Sequence, residues 1–131
     1  MARKPSIDSA LRATAWGQQA IAAGARDMAQ AAILYFLAMR KSETASENVL
    51  LGDGEIAKAV RLSTPTALAS LTDLMEREII EPVRGILGEH GFKVSWIFQG
   101  RVDALRRLDL PSDVPRRRAS MDVKEVLNEA R

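Results

Sequence analysis

Residues 54–80 read GEIAKAVRLSTPTALASLTDLMEREII, and the spacing within this stretch decides the fold. Ile56, Ala57 and Val60 recur on one face and predict a short helix from Glu55 to Arg61, with Asp53 placed to cap it. Thr64 and Pro65 open a second helix, because threonine caps well and proline is favoured in a first helical turn. This helix runs to about Arg77, with Ala67, Leu71, Leu74 and Met75 predicted inward. Little more than Leu62 and Ser63 separates the two helices, and so short a link forces a sharp angle between them. The pair has the form of a helix-turn-helix.

Downstream, Ile79 and Ile80 begin an extended segment that reaches Arg84. Residues 85–91 (GILGEHG) are a glycine-punctuated loop, and residues 92–98 (FKVSWIF) alternate in the manner of a strand. Together they predict a β-hairpin whose Phe92, Val94, Trp96 and Phe98 share one face, with Trp96 largely buried. Residues 101–108 predict a short helix, residues 109–120 (DLPSDVPRRRAS) a proline-broken basic linker, and residues 121–130 a small amphipathic helix.

Upstream, residues 6–41 are rich in alanine and carry Trp16, Ala20, Met28, Ala32, Tyr35, Phe36 and Met39 near helical spacing. Gly17 and Gly24 allow a kink or a split. Residues 41–48 (KSETASEN) read as a loop and residues 49–51 (VLL) as a very short strand. A continuous helix over 6–41 would be roughly 50 Å long at 1.5 Å per residue, more than one small domain covers. Its surplus apolar surface predicts a homodimer, and the alternative is a helix folded back on its own domain. The chain therefore divides into a helical dimerisation or packing region (1–41), a helix-turn-helix and hairpin domain (42–108), and a basic linker with a short helix (109–131). The fold class is α+β, mostly α.

Composition bounds the function. With 131 residues, 47% apolar and 27% charged, the chain has the composition of a single globular domain. It has no cysteine, so disulfides and thiolate metal sites are excluded and a reducing cytoplasm is the expected compartment. Charged and polar residues interrupt the alanine-rich stretch, so neither a signal segment nor a membrane span is expected. The net charge of +2 conceals an uneven distribution: residues 1–41 hold six basic against two acidic groups, 42–100 five against nine, and 101–131 eight against six. Basic charge sits in the terminal segments.

The pattern IAxxVxLSxxTAxxxL from Ile56 to Leu71, continued by Leu74 and by Arg77, Glu78, Ile79 and Ile80, resembles bacterial winged-helix regulators of the MarR-like families. The resemblance spans about 45 residues, from Gly54 to Phe98. It implies that residues 55–61 form the positioning helix, residues 64–77 the recognition helix, and residues 85–91 the tip of a wing. Arg61 and Glu78 depart from the pattern, since glycine is usual at both places. Glycine there favours positive φ, so these turns must be strained or differently shaped.

The function this implies is DNA binding by a dimeric transcriptional regulator or another chromosome- or plasmid-associated factor. Thr64, Thr66, Ala69, Ser70, Asp73 and Arg77 are the outward positions that follow from the inward set. Thr64, Thr66 and Ser70 can bond phosphate near a helix N-terminus, and threonine or alanine methyls can touch a thymine methyl. No Arg, Lys, Asn or Gln lies between Pro65 and Glu76 to make the usual bidentate contacts with bases. Cations for phosphate are Arg61 and Arg77 at the helix ends, Arg84 and Lys93 on the wing, the cluster Arg116, Arg117 and Arg118, and an arm holding Arg3 and Lys4. Each also has a plainer reading as a solvated surface charge. Because residues 42–100 are acidic, the alternative is a protein-interaction module whose face over residues 70–81 meets a basic partner.

No catalytic motif, P-loop, metal-ligand spacing or dinucleotide fingerprint is present. His90, the sole histidine, lacks partners for general-base or metal chemistry, and the pairs Glu76/Glu78 and Asp53/Glu55 read as caps and surface charge. Neither an enzymatic activity nor a cofactor is expected.

Overall fold

A helix with apolar side chains on every face is stable only when other elements surround it, and residues 31–39 (AAILYFLAM) form one. The computed structural model describes residues 11–44 and 48–108. The N-terminal helical region divides into α1 (Ala15–Ala22) and α2 (Met28–Thr44), and residues 30–38 of α2 are buried without a break. The division falls at Gly24, whose φ is +105°. The Gly24 amide donates to the Ile21 carbonyl at 2.9 Å and the Ala25 amide to that of Ala20 at 3.0 Å. This pair of bonds closes a helix only if the residue after the cap is left-handed. A side chain at Gly24 would also run into Ile79. Asp27 then starts α2 by accepting the Gln30 amide at 2.9 Å. The single long rod considered from the sequence does not form. Instead α1 lies on α2, with Trp16 and Tyr35 edge to face at 6.1 Å. Trp16 is buried, and its Nε1 has no hydrogen-bond partner among the described residues.

Residues 60–63 join α3 (Asp53–Ala59) to α4 (Thr64–Glu76). Both caps lie one residue earlier than expected. Gly52 precedes α3, leaving Asp53 in its first turn, where a carboxylate still favours the helix dipole. Ser63 caps α4 by accepting the Thr66 amide at 3.3 Å, so Pro65 falls within the first turn. At the C-terminal ends, Arg61 and Glu78 take positive φ values of 58° and 62°. Each follows a helix cap and repeats the Gly24 pattern, with Leu62 donating to the Ala57 carbonyl at 2.9 Å and Ile79 to that of Leu74 at 3.0 Å. The hydrogen bonds impose the left-handed turn whichever residue occupies it. The turns are thus strained rather than reshaped.

The hairpin pairs β1 (Ile80–Arg84) with β2 (His90–Val94) in antiparallel register, Ile80 opposite Val94 and Arg84 opposite His90. The expected strand over 49–51 is a single bridge: Val49 and Phe92 exchange amide hydrogen bonds of 2.8 and 2.9 Å. Gly91 permits this approach, since a Cβ there would strike the Val49 carbonyl. The hairpin alternation does not extend to Trp96, which is 82% exposed rather than buried. Its ladder runs out of partner. The Ser95 amide makes the last cross-link, to the Ile79 carbonyl at 2.8 Å, and before Ile79 the opposing chain is already turning out of α4. Residues 95–98 turn instead, leading into α5 (Gln99–Leu105).

α5 packs on α1 and α2. Gln19 donates to the Arg101 carbonyl at 3.0 Å, Arg101 to the Ala22 carbonyl at 3.1 Å, and Lys41 pairs with Asp103 at 3.1 Å. The architecture is α+β and mostly helical, and one hydrophobic cluster runs from Leu11 through α2 and the hairpin base to Leu105. The apolar faces of α2, which suggested a partner, are covered within the chain. Among the described residues no helix is long and apolar enough to cross a membrane. The helix expected over 121–130, and Arg3, Lys4, Arg116, Arg117 and Arg118, lie outside the described residues.

Relief of the left-handed strain is measurable. Glu78→Gly should gain up to about 1 kcal/mol in denaturant unfolding, while Glu78→Ala, which keeps a Cβ, should stay near wild type. No gain from glycine would mean that the turn stores no strain.

Candidate nucleic-acid interface

α4 is amphipathic in an unusual sense, because part of its polar side faces inward. Ala67, Ser70, Leu71 and Leu74 are buried, and Asp73 and Arg77 lie beside Ser70 against the start of α2. Gln30, a buried polar residue at that end of the apolar helix, joins them. Its Nε2 donates to Asp73 Oδ2 at 2.6 Å, and its Oε1 accepts from Arg77 Nη2 at 2.7 Å and from the Arg26 amide at 2.8 Å. Arg77 completes the set by donating to the Gly24 carbonyl at 2.6 Å and pairing with Asp73 at 2.8 Å. The hydrogen bond from Gln30 holds the Asp73 carboxyl below its ordinary pKa. Burial opposes this, and the guanidinium groups of Arg77 and Arg26 reinforce it. The network ties the α1–α2 turn to the C-terminal half of α4.

Two residues expected at the interface are therefore placed elsewhere. Ser70 is 6% exposed, and Arg77 is engaged inside the network. Their spacing with Asp73 read as a solvent stripe because nothing in α4 itself announces that α2 covers it. The outward stripe lies round toward Pro65, Leu68, Ala69, Thr72 and Glu76, all exposed. Leu68 and Thr72 belong to neither the inward nor the outward set read from the sequence, and Pro65 is read there only as a helix-opening residue.

The remaining expected residues are accessible in different degrees. Thr64 and Thr66 are exposed at the start of α4, the Thr66 hydroxyl accepting from Ser63 at 2.7 Å. Arg61 is exposed on the left-handed turn and Arg84 at the tip end of β1; neither forms an ion pair among the described residues, and the same holds for Lys58 on α3. Lys93 lies 3.6 Å from Glu81 across the hairpin, a pairing of little strength in solvent. The hairpin tip exposes Ile86 and Leu87 almost fully.

Charge thus changes sign along α4. Lys58 and Arg61 stand near its beginning, while Glu76 is its last residue and Glu78 and Glu81 follow. Beside that end, Glu78, Glu81, Pro82, Trp96 and Ile97 border an open groove of about 490 Å³. Carboxylates beside an exposed indole suit a cationic group. Among the described residues no group of three His, Cys, Asp or Glu side chains is placed to hold a metal. Comparison with family models, with curated proteins and with solved structures finds no match for this chain.

Because the folded-state pKa of Asp73 is depressed, its contribution to stability is complete above the unfolded value near 3.8 and is lost as pH falls through the lower folded value. Asp73→Asn should therefore melt below wild type from neutral pH to about pH 5, and the gap should close at more acid pH. A gap independent of pH would exclude this role for the charge.

Proposed function

We propose that the chain is a winged helix-turn-helix protein that binds double-stranded DNA, serving as a transcriptional regulator or another chromosome- or plasmid-associated factor. One observation carries the reading: the outward side of the N-terminal half of α4 is exposed and flanked by Lys58 and Arg61, with Arg84 on the hairpin, three cations that form no ion pair among the described residues. In helix-turn-helix readers the second helix enters the major groove with its N-terminal residues toward the bases. That orientation would put cations near phosphate and keep Glu76, Glu78 and Glu81 at the far end. The order of α2, the Val49 bridge, α3, α4 and the hairpin supports the winged-helix resemblance. Arg116, Arg117 and Arg118 would add phosphate contacts from the tail. A homodimer would set two copies of α4 on successive half-sites; Trp96 and Ile97, rather than the covered faces of α2, offer the apolar surface for it.

A second reading has its own support. The groove of Glu78, Glu81 and Trp96 suits a basic protein segment, which would make the domain an interaction module.

A salt titration on duplex DNA separates the two. Each neutralised phosphate adds about 0.9 to the magnitude of the slope of log K against log salt. Replacing Lys58, Arg61 and Arg84 together by Gln should lower that slope by up to about 2.7, and so should replacing Arg116, Arg117 and Arg118. Thr72→Ala should leave it unchanged, since a hydroxyl releases no counterion. Absence of binding to cognate-selected and random duplexes at about 50 mM salt would defeat the DNA reading in favour of the protein partner.

A further inference from the structure

The solvent stripe of α4 has a chemistry that narrows what it could read. Pro65, Leu68, Ala69 and Thr72 follow one another at helical spacing on the exposed side, and Leu68 at their centre is 48% exposed. From Pro65 to Thr72 the helix rises about 10 Å, the length of roughly three base pairs. Recognition of guanine calls for Arg or Lys, of adenine for Asn or Gln, and of cytosine for Asp or Glu. The stripe has none of these before Glu76, which lies a full turn beyond Thr72. Apart from the Thr72 hydroxyl, what it presents is methyl and methylene groups: the isobutyl of Leu68, the Ala69 methyl, the Thr72 γ-methyl and the Pro65 ring. In the major groove the apolar feature available to them is the thymine 5-methyl group.

Resting on the DNA reading above, we propose that α4 selects thymine-bearing sites by apolar contact with 5-methyl groups, with Leu68 as the central specificity-determining residue. The cations Lys58, Arg61 and Arg84 then supply affinity common to all sequences, and the stripe supplies discrimination. The two contributions are separable because the methyl group carries no charge.

Matched duplexes isolate the methyl group. One carries a selected thymine-containing site and the other the same site with deoxyuridine for thymine, which removes the 5-methyl and preserves charge and pairing. Binding should weaken by about fourfold for each contacted methyl, with the salt slope unchanged. Leu68→Ala, an exposed change whose folding is checked by circular dichroism, should bring the thymine-to-uracil ratio close to one and leave affinity for the uracil duplex within about twofold. Conversely, 5-methylcytosine in place of cytosine at neighbouring positions should strengthen binding by wild type and not by the variant. Equal affinity for thymine and uracil duplexes, with binding intact, overturns the inference while leaving the DNA reading in place. An undiminished ratio in Leu68→Ala overturns the role of Leu68. Loss of binding to every duplex removes the DNA reading and the inference together.

Discussion

Everything described in this chain is arranged around one requirement, that the middle of α2 have no contact with water. Nine successive residues of a helix point in all directions, so burying them calls for neighbours all around the axis. α1 meets the requirement by doubling back at Gly24, α5 by returning from the hairpin, and α4 by lying along α2 from the other part of the chain. An amphipathic helix would have needed cover on a single side. This one makes the N-terminal segment and the helix pair that follows it parts of one core.

At its start, α2 gives up apolar character once, at Gln30, and the exception sets the orientation of α4. Gln30 offers a donor to Asp73 and an acceptor to Arg77, and Arg77 reaches on to the Gly24 carbonyl. The Asp73–Arg77 ion pair, half-buried, is weak evidence of net stabilisation, because lost hydration offsets much of the attraction. Its contribution here is directional. Hydrogen bonds of fixed geometry determine which side of α4 turns inward, and the apolar stripe centred on Leu68 is what remains outside. The internal polar contacts and the external apolar surface are two aspects of one rotation about the helix axis.

Local features were readable from the residues alone. The helix break near Gly24, the short turn before Thr64, the hairpin and the unusual positions of Arg61 and Glu78 all depend on neighbours a few residues away. Misreadings arose where distant segments intervene. Ser70, Asp73 and Arg77 form a polar series turned toward the core, and the last two are held there by Gln30, more than forty residues earlier in the sequence. Trp96 continues a strand alternation, but a strand requires a partner, and Ile79 is the last residue able to provide one. The sequence pattern supplies a period; the phase of that period against the core is set by tertiary neighbours.

The bridge between Val49 and Phe92 has a mechanical consequence. A two-stranded hairpin joined to a domain at one end could swing like a lever. Here its second strand is clamped part-way along by two backbone hydrogen bonds, over a glycine that brings the two chains close. Its base consequently behaves as a rigid extension of the core. Any surface that meets α4 and the hairpin together encounters a preset angle, and accommodation must come from bending of the bound partner or from the few residues at the tip beyond Arg84.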